Sequence, residues 1–197
     1  MSQTVQIICR NLERSIAAKT KLLFSREIHA EFSRSVDMVL SIYQQGGRLY
    51  IAGNGGSAAD AQHLAAEFVS RLARDRSPLP AEALTTDSSI LTAIGNDYGY
   101  DQIFSRQIAG KMTAQDIFLG ITTSGNSPNI IKALQMCREK GIASIVFTGH
   151  DGGEVSQWSD VCVIAPGELT SQIQEVHLVM AHTLCECVEA AIFGFQL

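Results

Sequence analysis

The sequence predicts an α/β fold: a doubly wound, five-stranded parallel sheet with helices on both faces and an N-terminal helical extension. From residue 48 onward, short apolar segments alternate with longer segments of helical periodicity, which is typical of βαβ units. Short apolar strands of this kind indicate a parallel sheet covered on both faces. Right-handed crossovers then produce the doubly wound arrangement, in which ligands bind beyond the carboxyl ends of the strands.

Length and composition limit the classes of protein that fit. The 197 residues are 46% apolar and 18% charged, which suits one folded domain with a sizeable core. A net charge of −5 offers no broad basic surface for nucleic acid or anionic lipid. No continuous apolar run approaches the roughly 18 residues of a membrane span, and the N-terminus lacks a signal-peptide layout. We therefore predict a cytoplasmic protein.

The cysteines are predicted to be free thiols. Their number is odd and no export signal is present, so a disulfide framework is not expected. We interpret all five as small core residues. They are Cys9, Cys137, Cys162, Cys185 and Cys187.

Residues 1–47 are predicted to form a helical arm before the first strand. Apolar residues recur near helical spacing, as in Phe32, Val36, Val39, Leu40 and Tyr43, and Gly46-Gly47 ends the pattern. The apolar stripe needs a partner, either the chain's own core or another subunit. The remaining residues, 48–197, are predicted to form one folded unit.

Five strands and their helices follow in order. The strands are predicted at 48–53, 80–86, 116–122, 142–148 and 160–166. A helix begins at Ser57, where Ser57 and Asp60 form a variant of the capping box. A short helix follows from Asp87, and another begins near Pro128 and ends at Gly141. A final helix runs from about residue 170 to 192.

The first strand ends in a glycine loop, residues 53–57, that opens a helix. Glycines let backbone N–H groups approach an anion, and a helix N-terminus favours negative charge. The loop has no lysine, which excludes a P-loop, and it does not match the G-x-G-x-x-G spacing of dinucleotide-binding proteins. Anion binding is one interpretation; a tight turn with a helix cap is the other.

The third strand ends in a hydroxyl-rich loop, residues 122–127. Four hydroxyl side chains lie at the start of the next helix, whereas capping would need one. They belong to Thr122, Thr123, Ser124 and Ser127. The sequence therefore predicts a phosphate cradle of neutral donors, which an acidic protein can use to bind an anion.

Two helices carry chemistry that depends on whether they meet. His63 and Glu67 are four residues apart on one face, and Gln174 and His182 are eight residues apart, roughly 80° around their helix. If the helices meet, a carboxylate and an imidazole can move a proton between adjacent carbons of a sugar. The same four side chains also suit zinc. A zinc-bound carboxylate is a weaker base, so the sequence leaves the two alternatives open.

Several blocks together resemble a known family. They are GNGGSAADAQHLAAEF, TAIGNDYGYDQIFSRQ, TTSGNSPNIIKAL, FTGHDGG and IQEVHLVMAH. In this order they resemble the sedoheptulose 7-phosphate isomerases, or phosphoheptose isomerases, of the sugar isomerase (SIS) superfamily. The resemblance extends from about residue 46 to the C-terminus.

The resemblance implies a function and an assembly. Members of this family are cytoplasmic homotetramers with active sites at subunit interfaces. They convert sedoheptulose 7-phosphate to D-glycero-D-manno-heptose 7-phosphate, an early step toward ADP-heptose for the lipopolysaccharide core. By resemblance, Glu67 is the base and His182 the acid, acting through an enediolate.

The resemblance also implies binding residues. The phosphate loop corresponds to Thr122, Thr123, Ser124 and Ser127, with Ser57 beside them. Other substrate contacts correspond to Asn54, Gly55, Gly56, Glu67, Asn96, Asp97 and Gln174. Zinc-containing members use the positions of His63, Glu67, Gln174 and His182, so zinc is an implied cofactor.

Two alternatives remain at this point. Some related proteins of the same superfamily are non-catalytic regulators that bind the replication initiator, and others isomerise different phosphosugars. The regulators, by resemblance, lack the helix carboxylate and the last histidine, whereas this chain has both Glu67 and His182. This favours an enzyme.

Overall fold

The computed structural model describes residues 1–196, which form seven α-helices and five β-strands. The helices are α1 (Gln3–Phe24), α2 (Arg26–Gln44), α3 (Gly56–Val69), α4 (Ser88–Tyr98), α5 (Ser105–Lys111), α6 (Pro128–Lys140) and α7 (Thr170–Phe193). The strands are β1 (Leu49–Gly53), β2 (Ala81–Ala83), β3 (Ile117–Thr122), β4 (Ala143–Thr148) and β5 (Val161–Ile164). Short 3₁₀ turns lie at Tyr100–Gln102 and Glu154–Gln157.

The sheet confirms the predicted fold class. Its order is β2-β1-β3-β4-β5, and every pair is parallel. The order reverses at β1, so the chain winds outward in both directions. β1 and β3 pair in register from Leu49 with Ile117 to Gly53 with Ile121. The two loops singled out from the sequence therefore begin side by side at the carboxyl edge.

Apolar cores cover both faces of the sheet. Within β1, Leu49 and Ile51 belong to one core, which includes Phe68 of α3 and Leu184 of α7. Tyr50 belongs to the opposite core, with residues of α5 and α6. Alternate residues of each strand point to opposite faces, so a central strand must be apolar at every position. This explains why the central strands read as continuous apolar segments.

The edge strands are shorter than predicted. β2 spans three residues instead of 80–86, and β5 spans Val161–Ile164 instead of 160–166. Each lies at an edge of the sheet and pairs with only one other strand, so fewer of its backbone N–H and C=O groups form hydrogen bonds between strands. The sequence analysis also did not predict α5, because this helix has only seven residues and no side-chain cap at its start.

The N-terminal segment consists of two helices. Ser25 separates them, and its hydroxyl accepts a hydrogen bond from Ile28 N at 3.3 Å, which caps α2. α2 packs against β5 and α7. α1 contacts α7, where Glu175 bonds to Ser15 and to Lys19. Much of the apolar surface of α1 is nevertheless exposed, including Ile8, Leu12, Ile16, Leu23 and Phe24.

Helix α7 is long and apolar enough to span a membrane by length and composition alone, with a mean hydropathy of 1.4 over its best window. The prediction that no such segment exists considered only unbroken apolar runs. In the fold, α7 packs against α1, α2, α3 and β4, and Ile173, Val176, Leu184 and Val188 are completely buried. This is the position of a core helix.

The cysteines follow the prediction in part. All five are free thiols. Cys137 and Cys185 are buried, and burial raises the pKa of each thiol to about 12. Cys162 and Cys187 are half-buried, whereas Cys9 is exposed on α1 and is not a core residue. The prediction was wrong for Cys9 because α1 covers the core with only a narrow part of its surface.

Candidate active site

Helices α3 and α7 lie side by side and run in the same direction. Near the start of α3, Gly56 lies against the side-chain amide of Gln174. Farther along, His63 lies against His182. The helices that carry the candidate residues therefore meet, which is the condition that the sequence could not test.

Their contact brings two imidazoles and a carboxylate into one cluster. His63 Nε2 lies 3.0 Å from His182 Nε2 and 3.1 Å from Glu67 Oε1. His182 Nε2 lies 3.3 Å from the same carboxylate oxygen. The Glu67 side chain is only 12% exposed, and its other oxygen, Oε2, is buried and has no partner within the described residues. One oxygen of Glu67 thus faces both imidazoles, while the other points away from them without a hydrogen-bond partner in the described residues.

The cluster has dimensions that suit zinc. Its three ligating atoms form a triangle with edges of 3.0, 3.1 and 3.3 Å. Zn–N and Zn–O bonds of about 2.0–2.1 Å in a tetrahedron imply ligand separations of about 3.3 Å. Gln174, the fourth predicted ligand, has its amide against Gly56, and within residues 1–196 it makes no hydrogen bond to these three side chains. The structure therefore brings His63, Glu67 and His182 together as a set that could hold a metal ion.

The glycine loop does not use the predicted capping box. The N-cap of α3 is Gly55, with φ of +56°, and no side chain caps the helix. Ser57 lies inside the first turn and is 3% exposed. Asp60 Oδ2 is buried without a partner in the described part of the chain, and burial raises the pKa of this carboxyl. The prediction was wrong because Gly55 adopts a positive φ that glycine tolerates, and the helix starts at Gly56, one residue before Ser57.

The hydroxyl-rich loop is not a plain cap either. Ser127 is the N-cap of α6, yet its side chain makes no capping hydrogen bond. Instead, Ser127 Oγ lies 2.9 Å from Thr122 Oγ1, which in turn lies 3.5 Å from Ser124 Oγ. Three hydroxyls are gathered at the start of a 13-residue helix, where the N-terminal dipole favours an anion.

The loop after β4 packs against the hydroxyl-rich loop and forms backbone hydrogen bonds with it. Gly125, with φ of +70°, packs directly against Gly152 and Gly153, leaving no space for a Cβ atom. Val155 N donates to Gly125 O at 3.0 Å, and Glu154 N donates to Asn126 Oδ1 at 2.9 Å. The FTGHDGG segment thus shapes the loop through its backbone.

A side-chain contact that the sequence analysis missed joins the two loops. Asn54 Nδ2 donates to Asn129 Oδ1 at 2.9 Å, and Asn129 Nδ2 donates back to Asn54 Oδ1 at 2.8 Å. Tyr100 Oη also donates to Asn54 Oδ1, at 3.1 Å. Neither Asn129 nor Tyr100 stood out, because the contacts span 75 and 46 residues of sequence.

The predicted substrate residues Asn96 and Asp97 lie at the exposed end of α4. Asn96 Nδ2 donates to Asp97 Oδ1 at 2.7 Å. Tyr100, which reaches Asn54, follows a few residues later. Within residues 1–196, neither Asn96 nor Asp97 is hydrogen-bonded to the His63–Glu67–His182 cluster.

The remaining three histidines are not part of this cluster. His29 Nε2 lies 2.8 Å from Leu22 O, near the break between α1 and α2. His177 is buried and donates to Thr148 O at 2.9 Å, and burial lowers its pKa to about 4. His150 is exposed in the loop after β4.

Comparisons with known proteins show the family to which the chain belongs. Residues 15–149 match the model of the SIS domain family. The chain is 50% identical over 183 residues to the phosphoheptose isomerase of Aneurinibacillus thermoaerophilus, covering 93% of this chain and 92% of that protein. It is 46% identical over 180 residues to phosphoheptose isomerase 2 of Campylobacter jejuni, covering 91% and 90%.

An experimental structure has the same fold. The phosphoheptose isomerase of Neisseria gonorrhoeae superposes with a TM-score of 0.88 at 38% sequence identity, covering 95% of this chain and all of that one. The similarity therefore includes the N-terminal helices as well as the sheet.

Proposed function

The chain belongs to the phosphoheptose isomerases, a family of SIS-domain proteins, and we propose that Glu67 and His182 carry out the proton transfer of its reaction. That reaction is an aldose–ketose isomerisation of sedoheptulose 7-phosphate to D-glycero-D-manno-heptose 7-phosphate. The observation that carries the assignment of residues is the contact of α3 with α7, which sets His182 Nε2 3.3 Å from Glu67 Oε1.

The two residues have complementary roles in the proposed mechanism. Glu67 removes a proton from C1 of the ketose, and His182 donates a proton to the carbonyl oxygen at C2. The product of this step is an enediol with a double bond between C1 and C2. Return of the proton to C2, with loss of the O1 proton, completes the aldose. No net oxidation occurs, since one carbon gains the hydrogen that the other loses.

The hydroxyl-rich loop holds the phosphate in this proposal. Thr122, Ser124 and Ser127 offer hydroxyl donors, and α6 adds its N-terminal dipole. Thr123, in the same loop, and Ser57, in the first turn of α3, are proposed as further phosphate contacts. The other proposed substrate contacts are Asn54, Gly55, Gly56, Asn96, Asp97 and Gln174.

Zinc is proposed as the cofactor, held by His63, Glu67 and His182, with Gln174 as a fourth ligand. Bound there, zinc would act as a Lewis acid toward substrate oxygens. Coordination to zinc would make the Glu67 carboxylate a weaker base. The zinc affinity measured by isothermal titration should therefore be compared with the turnover rate at the same zinc concentrations. We expect one zinc per chain in the wild type and loss of binding in His63→Ala, without a change in secondary structure by circular dichroism.

A second copy of the chain is proposed to cover the exposed face of α1. This face adjoins an apolar groove of about 330 Å³ between α1, α2 and α7, lined in part by Leu22, Leu23, Phe32 and Met180. Exposed contiguous apolar surface of this kind marks an interaction site. We expect a homotetramer with active sites at its interfaces, and Leu12→Lys should shift sedimentation toward smaller species.

The pathway and compartment belong to the same proposal. We place the reaction in the cytoplasm, at the start of the route to ADP-heptose for the lipopolysaccharide core. The residue assignment is tested by steady-state turnover of sedoheptulose 7-phosphate. We expect Glu67→Gln and His182→Gln to lose at least 100-fold in kcat, whereas Glu175→Gln, on the same helix as His182 but outside the cluster, retains activity. Equal activity of Glu67→Gln and wild type would overturn the assignment.

A further inference from the structure

The reciprocal amide pair between Asn54 and Asn129 connects the two loops at the carboxyl edge of the sheet. Asn54 follows β1, whereas Asn129 lies in the first turn of α6, immediately after the hydroxyl-rich loop. β1 and β3 are adjacent strands, so the pair closes the gap between the loops that follow them. Asn129 is only 2% exposed, so substrate reaches Asn54 rather than Asn129.

A count of donors and acceptors shows what Asn54 can offer to a ligand. Its Oδ1 accepts from Asn129 Nδ2 and from Tyr100 Oη, which fills both lone pairs. Its Nδ2 donates one hydrogen to Asn129 Oδ1. A primary amide has two such hydrogens, so one N–H is left over. Asn54 therefore presents a donor, and no acceptor, to the substrate.

A lone donor suits an anionic oxygen. Asn54 belongs to the glycine loop, next to Gly55 and Gly56 at the start of α3, and its partner Asn129 follows the hydroxyl-rich loop in the first turn of α6. Both loops are also neutral and rich in donors. Donation to a charged acceptor is stronger than donation to a neutral one.

We propose that Asn129 is a positioning residue that fixes the side-chain amide of Asn54 so that its free N–H donates to the phosphate end of the substrate. This inference rests on the proposed function, because it takes the ligand to be a sugar phosphate. Asn129 acts through Asn54 and makes the two strand-end loops a single phosphate-binding surface. Tyr100 supplies an auxiliary donor to the same oxygen of Asn54.

The first test is a double-mutant cycle on phosphate binding. The dissociation constant of inorganic phosphate is measured by isothermal titration for wild type, Asn54→Ala, Asn129→Ala and the double variant. Loss of one hydrogen bond to a charged group weakens binding by about 10-fold or more. If Asn129 acts only through Asn54, the double variant binds no more weakly than Asn54→Ala alone. Independent, multiplying losses would overturn the proposal.

A second readout separates positioning from general loss of structure. We expect Asn129→Ala to raise KM for the sugar phosphate by about 10-fold while kcat changes little, because a contact made equally in the ground and transition states is lost. Asn129→Ser gives a second variant if the alanine variant does not fold. The matched control is Gln107→Leu, which removes a buried amide bonded to Leu84 O and Ile103 O outside the site. This control should lower stability without changing KM.

The outcomes distinguish this inference from the proposed function. Phosphate binding that follows the predicted cycle in a protein without isomerase turnover would overturn the reaction and leave the positioning role intact. Turnover of sedoheptulose 7-phosphate with an additive cycle, or with a fall in kcat alone for Asn129→Ala, would overturn the positioning role and leave the reaction intact.

Discussion

Arg76 and Glu189 form a buried ion pair that ties the helix of the proposed base to the helix of the proposed acid. Their side chains are 1% and 4% exposed, and Arg76 Nη2 lies 2.6 Å from Glu189 Oε1. The same guanidinium nitrogen donates to Glu67 O at 2.8 Å, and Nη1 donates to Phe68 O. Glu189 lies two turns beyond His182 on α7. The pair therefore satisfies the last carbonyls of α3 and fixes their distance from α7.

The ion pair gives the first prediction. Arg76→Met leaves the Glu189 carboxylate buried without its partner, which costs about 3–5 kcal/mol of unfolding free energy. Urea denaturation measures this loss. The double variant Arg76→Met with Glu189→Leu removes both charges and should recover part of it. A double variant less stable than Arg76→Met would show that the unpaired charge is not the cause.

The second prediction concerns Ser127, whose hydroxyl faces the proposed phosphate site instead of capping α6. Ser127→Ala should raise KM for the sugar phosphate by about 10-fold, since a hydrogen bond to a charged group is lost. Its unfolding free energy should change little. Ser25→Ala is the matched control, because Ser25 does cap α2. It should cost about 1 kcal/mol of stability and leave KM unchanged. The reverse pattern would argue that Ser127 has a structural role.

The third prediction concerns Gly56, whose backbone is helical, so that alanine is allowed by its dihedral angles. A Cβ atom there would lie 2.5 Å from Gln174 Nε2 and would displace that amide. Gly56→Ala should therefore lower kcat/KM with little loss of stability. Gly110→Ala, at an open position on α5, serves as the control and should leave kcat/KM unchanged. Full activity in Gly56→Ala would remove Gln174 from the site.

The fourth prediction is a pH dependence of stability. Burial lowers the pKa of His177 to about 4, from an unfolded value near 6.5. Between these values the unfolded chain binds a proton that the folded chain does not, so stability falls as pH decreases from about 6.5 to 4. One proton contributes up to about 1.4 kcal/mol per pH unit. Thermal melts at several pH values should show a shallower acid limb in His177→Gln. An unchanged slope would assign the acid sensitivity to other groups.

The sequence predicted the sheet well because its physical signal is local. A parallel strand covered on both faces is apolar throughout, as in β3. Helices that connect such strands cross over in a right-handed sense, which restricts the fold to a doubly wound parallel sheet. Edge strands carry a weaker signal, since they have one neighbour, and the limits of β2 were accordingly wrong. The short helix α5 was missed because it lacks a side-chain cap.

The sequence predicted those residues of the candidate site that lie close together within a single helix or loop. The spacing of His63 and Glu67 on α3, and the hydroxyls after β3, are visible in the sequence alone. The contacts of Asn54 with Asn129 and of Arg76 with Glu189 join residues 75 and 113 positions apart. Such contacts are set by the packing of elements, so no local pattern indicates them.

The role of Glu67 is tested most directly by proton NMR of the wild type and Glu67→Gln with sedoheptulose 7-phosphate in D₂O. We expect the wild type to form the aldose with solvent deuterium at C2, because Glu67 exchanges the proton that it carries. We expect Glu67→Gln to form neither aldose nor exchanged ketose on the same timescale. Aldose formed by Glu67→Gln at the wild-type rate would contradict the assignment of Glu67 as the base.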